Sequence, residues 1–173
     1  MRTDPIESAR FYLLGLASLH ARRLVAEEEV VWVLRRSPPV ELAAGQVVFH
    51  QGDRADAALL VVHGELVVSV SAPEGEQVVG TVGAWDVVGE TGLYAPDHPR
   101  NASVRASRDT TGLLVTHQLL AEGRHNPVVA AIEYHLLHTL AQRIRVTTHA
   151  IQACSMPTEL VSRRAGAGGT DGR

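Results

Sequence analysis

The apolar positions of this chain change their period twice. Between Ile6 and Arg36, Leu13, Leu16 and Leu19, then Val30, Val31, Val33 and Leu34, recur at helical spacing, leaving Arg22, Arg23 and Glu27 to Glu29 for solvent. This predicts one long helix or two short ones, closed by Ser37-Pro38-Pro39, where the prolines lack amide donors and bar helical geometry before them. Such a segment either packs on the core or meets a partner. Residues 40–118 then fall into short Val- and Leu-rich runs divided by Gly, Pro and Asp, the pattern of an all-β sandwich or barrel. Alternation is plain from Glu65 to Ser71: Leu66, Val68 and Val70 face one way, while Glu65, Val67, Ser69 and Ser71 face the other. Two more strands are expected at 102–107 and 112–117, with the turn at Asp109-Thr110.

Helical spacing returns at Asn126-Pro127, a capping side chain followed by proline at the first helical position. Downstream, Leu137, Leu140, Ile144, Thr147 and Ile151 lie three and four apart and form a seam suited to pairing with another helix. After Cys154, Gly and charged residues dominate, so the tail 155–173 is expected to be disordered. The chain thus divides into an N-terminal helical segment (1–37), a β-roll (38–126), a C-terminal helix (127–154) and that tail.

Composition narrows the function. With 173 residues there is room for one domain with a good core and an appendage, and 45% hydrophobic residues with 20% charged ones are ordinary globular values. No apolar run approaches a membrane span, and Asp4, Glu7 and Arg10 argue against a signal peptide, so a cytoplasmic protein is expected. A formal charge of −3 gives no basic field for DNA. All sixteen basic residues are Arg, which excludes a Schiff-base or P-loop lysine. Cys154 is the single cysteine and forms no internal disulfide. The nine His are scattered, and His135 and His138, three apart on a helix, lack a third ligand, so no metal is expected. With no H-x-H, H-E-x-x-H or G-x-S-x-G either, no enzyme is expected.

Candidate chemistry concentrates between Val88 and Ala106, V-G-E-T-G-L-Y-A-P-D-H-P-R-N-A-S-V-R-A. Gly89 lets the backbone approach a ligand closely, and residues 89–93 are expected to form one helical turn whose amides point at a phosphate. Arg100 offers a planar fork for two phosphate oxygens, whereas Glu90, which only accepts, suits a sugar hydroxyl. One site would then read both halves of a sugar phosphate; by residue type alone, the run also fits an ordinary surface loop.

Gly89-Glu90, Leu93 and Pro99-Arg100-Asn101-Ala102-Ser103-Val104 resemble the phosphate-binding cassette of the cyclic nucleotide-binding domain family. Leu42 to Asp56, with Gly45, Phe49, Gly52, Asp53 and Asp56 in place, and V-V-H-G-E-L-V-V from Val61 resemble the family's earlier strands. Within the family, G-E-T-G-L-Y and the later L-A-Q-R-I-R-V-T-T-H-A-I resemble the bacterial cAMP receptor proteins, whose helix-turn-helix domain has no counterpart here. Two departures stand out: Trp85-Asp86 where the family has Gly-Asp, and Asn101 after the cassette Arg.

The resemblance implies a mainly β fold with flanking helices, a jelly-roll type cyclic nucleotide-binding β-roll (double-stranded β-helix) with an N-terminal helical segment and a long C-terminal helix. It implies that Arg100 binds the cyclic phosphate and Glu90 the ribose 2′-hydroxyl, with Gly89, Thr91, Leu93, Asn101, Ala102 and Ser103 completing the shell. Thr147 and Thr148 would reach adenine, one from each subunit of a homodimer. The expected ligand is cAMP, with cGMP as the alternative. The expected role is a stand-alone regulatory protein that passes the nucleotide signal to an unidentified protein effector, without direct DNA binding or membrane attachment. Two other roles stay open: a β-roll assembly module that no longer binds nucleotide, and a truncated regulator that acts by heterodimerisation.

Overall fold

The computed structural model describes residues 4–20, 24–95 and 98–154. Arg22, Arg23 and the tail 155–173 lie outside the described residues. The chain forms two compact units, residues 1–140 and 141–173.

In the first unit the N-terminal segment is two helices, α1 (Pro5–His20) and α2 (Glu27–Arg36). Ser37 ends the second, and its hydroxyl donates to the Leu114 carbonyl at 2.7 Å, tying the helix end to a strand. Leu13, Leu16, Val30 and Val33 are buried as their spacing predicts, whereas Leu19 is 72% exposed. The further core residues of α1 are Ala9, Tyr12 and Ala17.

Eight strands follow among the described residues: β1 (Val40–Leu42), β2 (Val47–Phe49), β3 (Ala57–His63), β4 (Glu65–Ala72), β5 (Gly75–Gly83), β6 (Val87–Val88), β7 (Ser103–Ala106) and β8 (Thr110–Thr116). They form two antiparallel four-stranded sheets, ordered β1-β8-β3-β6 and β2-β7-β4-β5. This is a mainly β fold with flanking helices, the jelly-roll type β-roll expected.

Strand β3 shows why its sequence is apolar without alternation. Leu59 and Val61 pack with Leu42, Phe49, Leu66 and Val104 in one core, while Ala58, Leu60 and Val62 pack in a second with α1, α2 and residues 128–136. A strand covered on both faces needs apolar residues at both parities. Strand β4 has one such face: Leu66 is buried and Val68 packs beside it. Its partner β5 carries an extra residue, since Val68 pairs with Gly80 but Ser69 with Val78, which bulges that strand at Val79.

Two details correct the sequence reading. Thr110 is not in a turn: it pairs with Leu42 as the first residue of β8, and its buried hydroxyl accepts the Glu65 amide at 3.0 Å. Residues past β8 form a helix that the strand pattern hid, α4 (His117–Glu122), capped by the Thr116 hydroxyl, which accepts from the Leu119 amide at 3.2 Å. Helix α5 (Pro127–Cys154) starts where expected. The Asn126 side chain accepts from the Val128 amide at 2.8 Å and donates to the Glu29 carbonyl at 2.9 Å, so the cap also binds α2.

In the second unit, residues 141–149 of α5 are mostly exposed, including Ile144, Val146, Thr147 and Thr148. The Thr147 hydroxyl donates to the Arg143 carbonyl at 2.9 Å. The side chain of Ile151 lies outside those described.

Candidate functional site

The cassette joins β6 to β7. Gly89 follows β6 with φ +80, a conformation glycine adopts freely. Space excludes a larger residue as well: a Cβ there would stand 2.6 Å from Arg100 Nη1 and 2.9 Å from Phe49 Cε2. The helical turn is α3 (Thr91–Tyr94), starting two residues later than expected. Its Gly92 and Leu93 amides donate to the Gly89 and Glu90 carbonyls at 3.1 Å each, so these two are spent inside the turn. Gly92 lies against Ala55, and Leu93 packs into the core shared with α1, which anchors the cassette.

Arg100 is fixed by the loop after β2. The Gly52 amide donates to the Arg100 carbonyl at 2.9 Å, and the Arg100 amide donates to the Asp53 carbonyl at 2.8 Å. The Gly-Asp of the earlier motif therefore clasps the cassette arginine through backbone bonds. The Gln51 amide donates to the Ser103 hydroxyl at 3.0 Å, which pins the far end of the cassette. Thr91 and Asn101 are exposed, and Ala102 and Ser103 are half-buried. Pro96 and Asp97 lie outside the described residues.

Among the described residues, Arg100 and Glu90 are the only buried charged side chains. The Arg100 guanidinium lies over the Phe49 ring at 3.6 Å, a cation–π contact. Its Nη1 donates to the Gly89 carbonyl at 3.4 Å, a long bond, and Nη2 stands 3.9 Å from Asp56 Oδ1, an ion pair without a hydrogen bond. Burial pushes the guanidinium below its ordinary pKa, while Asp56 and then Asp53 pull it back. Guanidinium carries five N–H donors. No described residue gives Arg100 a side-chain hydrogen bond shorter than 3.4 Å. A largely buried cation whose remaining donors find no acceptor among the described residues can receive an anion.

Arg100 also forms part of the wall of an open cavity of about 650 Å³, with Phe49, Asp53, Arg54, Asp56 and the apolar residues of β1 and β2. That volume is in the range of small-molecule sites. None of the other expected cassette residues lines it. Phe49 and Asp56, which stack on and pair with Arg100, were legible as motif positions but carried no assigned role in the site.

The turn before the cassette departs from its expected residue type. Trp85 has φ +70, a conformation rare for a bulky side chain. Its ring packs at a tilt of 32° on Tyr12, with centroids 4.5 Å apart, and a Cβ on Gly15 would stand 2.6 Å from its Cη2. The glycine geometry of the turn is thus kept by a tryptophan, with Gly15 of α1 making room for the ring.

Known proteins agree with this architecture. The cyclic nucleotide-binding domain model matches residues 39–123. A cyclic nucleotide-binding domain from Methylobacillus flagellatus shares the fold at 23% identity, over 86% of this chain and 85% of that one, with a TM-score of 0.70. The catabolite activator protein of Thermus thermophilus is 30% identical over 75% of this chain and 60% of its own, with a TM-score of 0.62. A lysophospholipase of Aspergillus oryzae is 40% identical over 72 residues, which are 41% of this chain and 5% of that one. The chain therefore spans about a twentieth of that curated relative. Residues 39–123 belong to the cyclic nucleotide-binding domain family. Among the described residues, no helix is long and apolar enough to cross a membrane.

Proposed function

We propose that this chain is a non-catalytic receptor for a cyclic nucleotide, cAMP in preference to cGMP, and that it passes the signal to a protein partner. The observation that carries the reading is Arg100, a buried guanidinium with unspent donors, held by backbone bonds beside Gly89 and Glu90. A cyclic phosphate supplies the missing acceptors, and Glu90 accepts from a ribose hydroxyl. Gly89, Thr91, Leu93, Asn101, Ala102 and Ser103 shape the turn and the shell around that phosphate.

The preference for adenine rests on Thr147 together with Thr148. Because the Thr147 hydroxyl spends its proton on the Arg143 carbonyl, it keeps both lone pairs and acts as an acceptor. Adenine's exocyclic amino group donates, whereas guanine carries a carbonyl at that place. Leu137 and Ile144, both more than half exposed, support pairing of α5 with the same helix of a second copy.

Calorimetric titration with cAMP and cGMP tests the reading. Saturable binding of both, tighter for cAMP, is expected. Absence of heat and of any thermal shift with either nucleotide would leave a fold that has lost its ligand.

A further inference from the structure

The charge around Arg100 is not that of a simple anion trap. Asp56 stands 3.9 Å from Nη2, near enough to share the positive charge and too far to occupy a donor. Asp53 lies in the same wall, and Glu90 is buried in the adjoining cassette. The other cation of the cavity wall, Arg54, is exposed, as are Asp53 and Asp56, so water and salt screen all three alike. One buried guanidinium thus feels two nearby carboxylates, Asp56 and then Asp53.

That balance matters for an incoming phosphate. A cyclic phosphodiester brings one negative charge, while the ring-opened monoester of the same nucleoside brings about 1.5 to 2 near neutral pH. The first charge is met by Arg100. The second finds no further buried cation among the described residues and falls near Asp56 and Asp53, where like charges repel.

We infer that Asp56 is a specificity-determining residue that admits singly charged phosphodiesters at Arg100 and rejects doubly charged nucleoside monophosphates. The inference rests on the cyclic nucleotide reading above and adds what the site refuses. Its signature is quantitative: removing one negative charge helps a dianion twice as much, in free energy, as a monoanion. A residue that only orients Arg100 would change every ligand by one factor.

The test is titration of wild type, Asp56→Asn and Asp56→Glu with three adenosine ligands at about pH 7.5. These are cAMP, 5′-AMP and the methyl ester of 5′-AMP, an open-chain monoanion. In Asp56→Asn, cAMP and the methyl ester are expected to bind about threefold more tightly and 5′-AMP about tenfold, the square of that factor. Asp56→Glu keeps the charge and is expected to keep the wild-type ratios. Asp56 has a side chain 70% exposed, so the Asn variant is expected to fold, and an unchanged melting temperature checks this. Should Asn fail to fold, Asp56→Ser answers the same question.

Equal factors for all three ligands, or unmoved 5′-AMP affinity, would overturn the inference while cAMP binding persists. If the methyl ester follows 5′-AMP instead of cAMP, ring shape decides and charge does not, which also overturns it. If wild type binds no cAMP, the receptor reading fails together with the inference.

Discussion

The clasp around Arg100 and the stretch of α5 beyond residue 140 are built in opposite ways. The clasp is long-range: Gln51 bonds Ser103 across 52 positions, and Gly52 and Asp53 grip the Arg100 backbone. The helix is local, its Thr147 hydroxyl bonded 4 positions back to Arg143. In the clasp a substitution disturbs several elements at once. In the helix, whose residues 144 and 146–149 are exposed, it changes one side chain. A phosphate site needs a fixed buried cation, which only tertiary contacts hold, whereas a hydroxyl on a helix is oriented by its own backbone.

The largest expected effect falls in the clasp. Arg100→Ala removes the one buried basic side chain among the described residues and leaves the phosphate unpaired, a loss of about 2–5 kcal/mol, or about thirtyfold to a few thousandfold in affinity. Titration of the folded variant measures it, and unchanged affinity would take the cassette out of the recognition.

Gly89→Ala sharpens the point by changing no charged group. The left-handed backbone and the close approach to Arg100 Nη1 and Phe49 predict a destabilisation of about 1–3 kcal/mol, read by denaturant melts, with weakened nucleotide binding. Full stability would mean that the turn relaxes and that the clasp is less rigid than its bonds imply.

On the helix, Ile144→Glu is expected to leave the melting temperature of the monomer within the range of surface substitutions, since Ile144 is 59% exposed. It should weaken self-association about tenfold or more by placing like charges in the seam. Sedimentation of wild type and variant with cAMP present reads this out. A monomeric wild type would end the seam reading.

The smallest effect is expected for Thr147→Val, which keeps shape and removes one acceptor. Loss of about 1 kcal/mol in cAMP affinity is predicted, with cGMP affected less and stability unmoved. Equal loss for both nucleotides would reduce Thr147 to a packing residue and leave base preference without its source.

Much of this protein was legible before its structure. Of the glycines that punctuate the strand pattern, 45, 52, 64 and 75 have positive φ whereas Gly83 only ends β5, and Asn126-Pro127 marked the start of α5. Those signals are local: a left-handed turn or a helix cap is specified by the residue that occupies it. The cassette was legible for the same reason, as a run whose residue types suit a sugar phosphate.

What the sequence could not disclose depended on neighbours distant in the chain. Nothing around Arg100 says that its guanidinium would lie over Phe49, beside Asp56, with its backbone held by Gly52 and Asp53. Trp85 looked like a broken turn, yet Gly15 of α1 leaves room for its ring and Tyr12 packs on it. Leu19 had the spacing of a core residue and emerged at the surface, because which side of a helix is covered is set by the elements that pack on it. Sequence alone determined most of the elements, their order and the candidate residues for a phosphate, though not α4. Tertiary structure alone decided the electrostatic surroundings, burial and bonding of those residues, because fields and contacts act through space between positions that the chain keeps far apart.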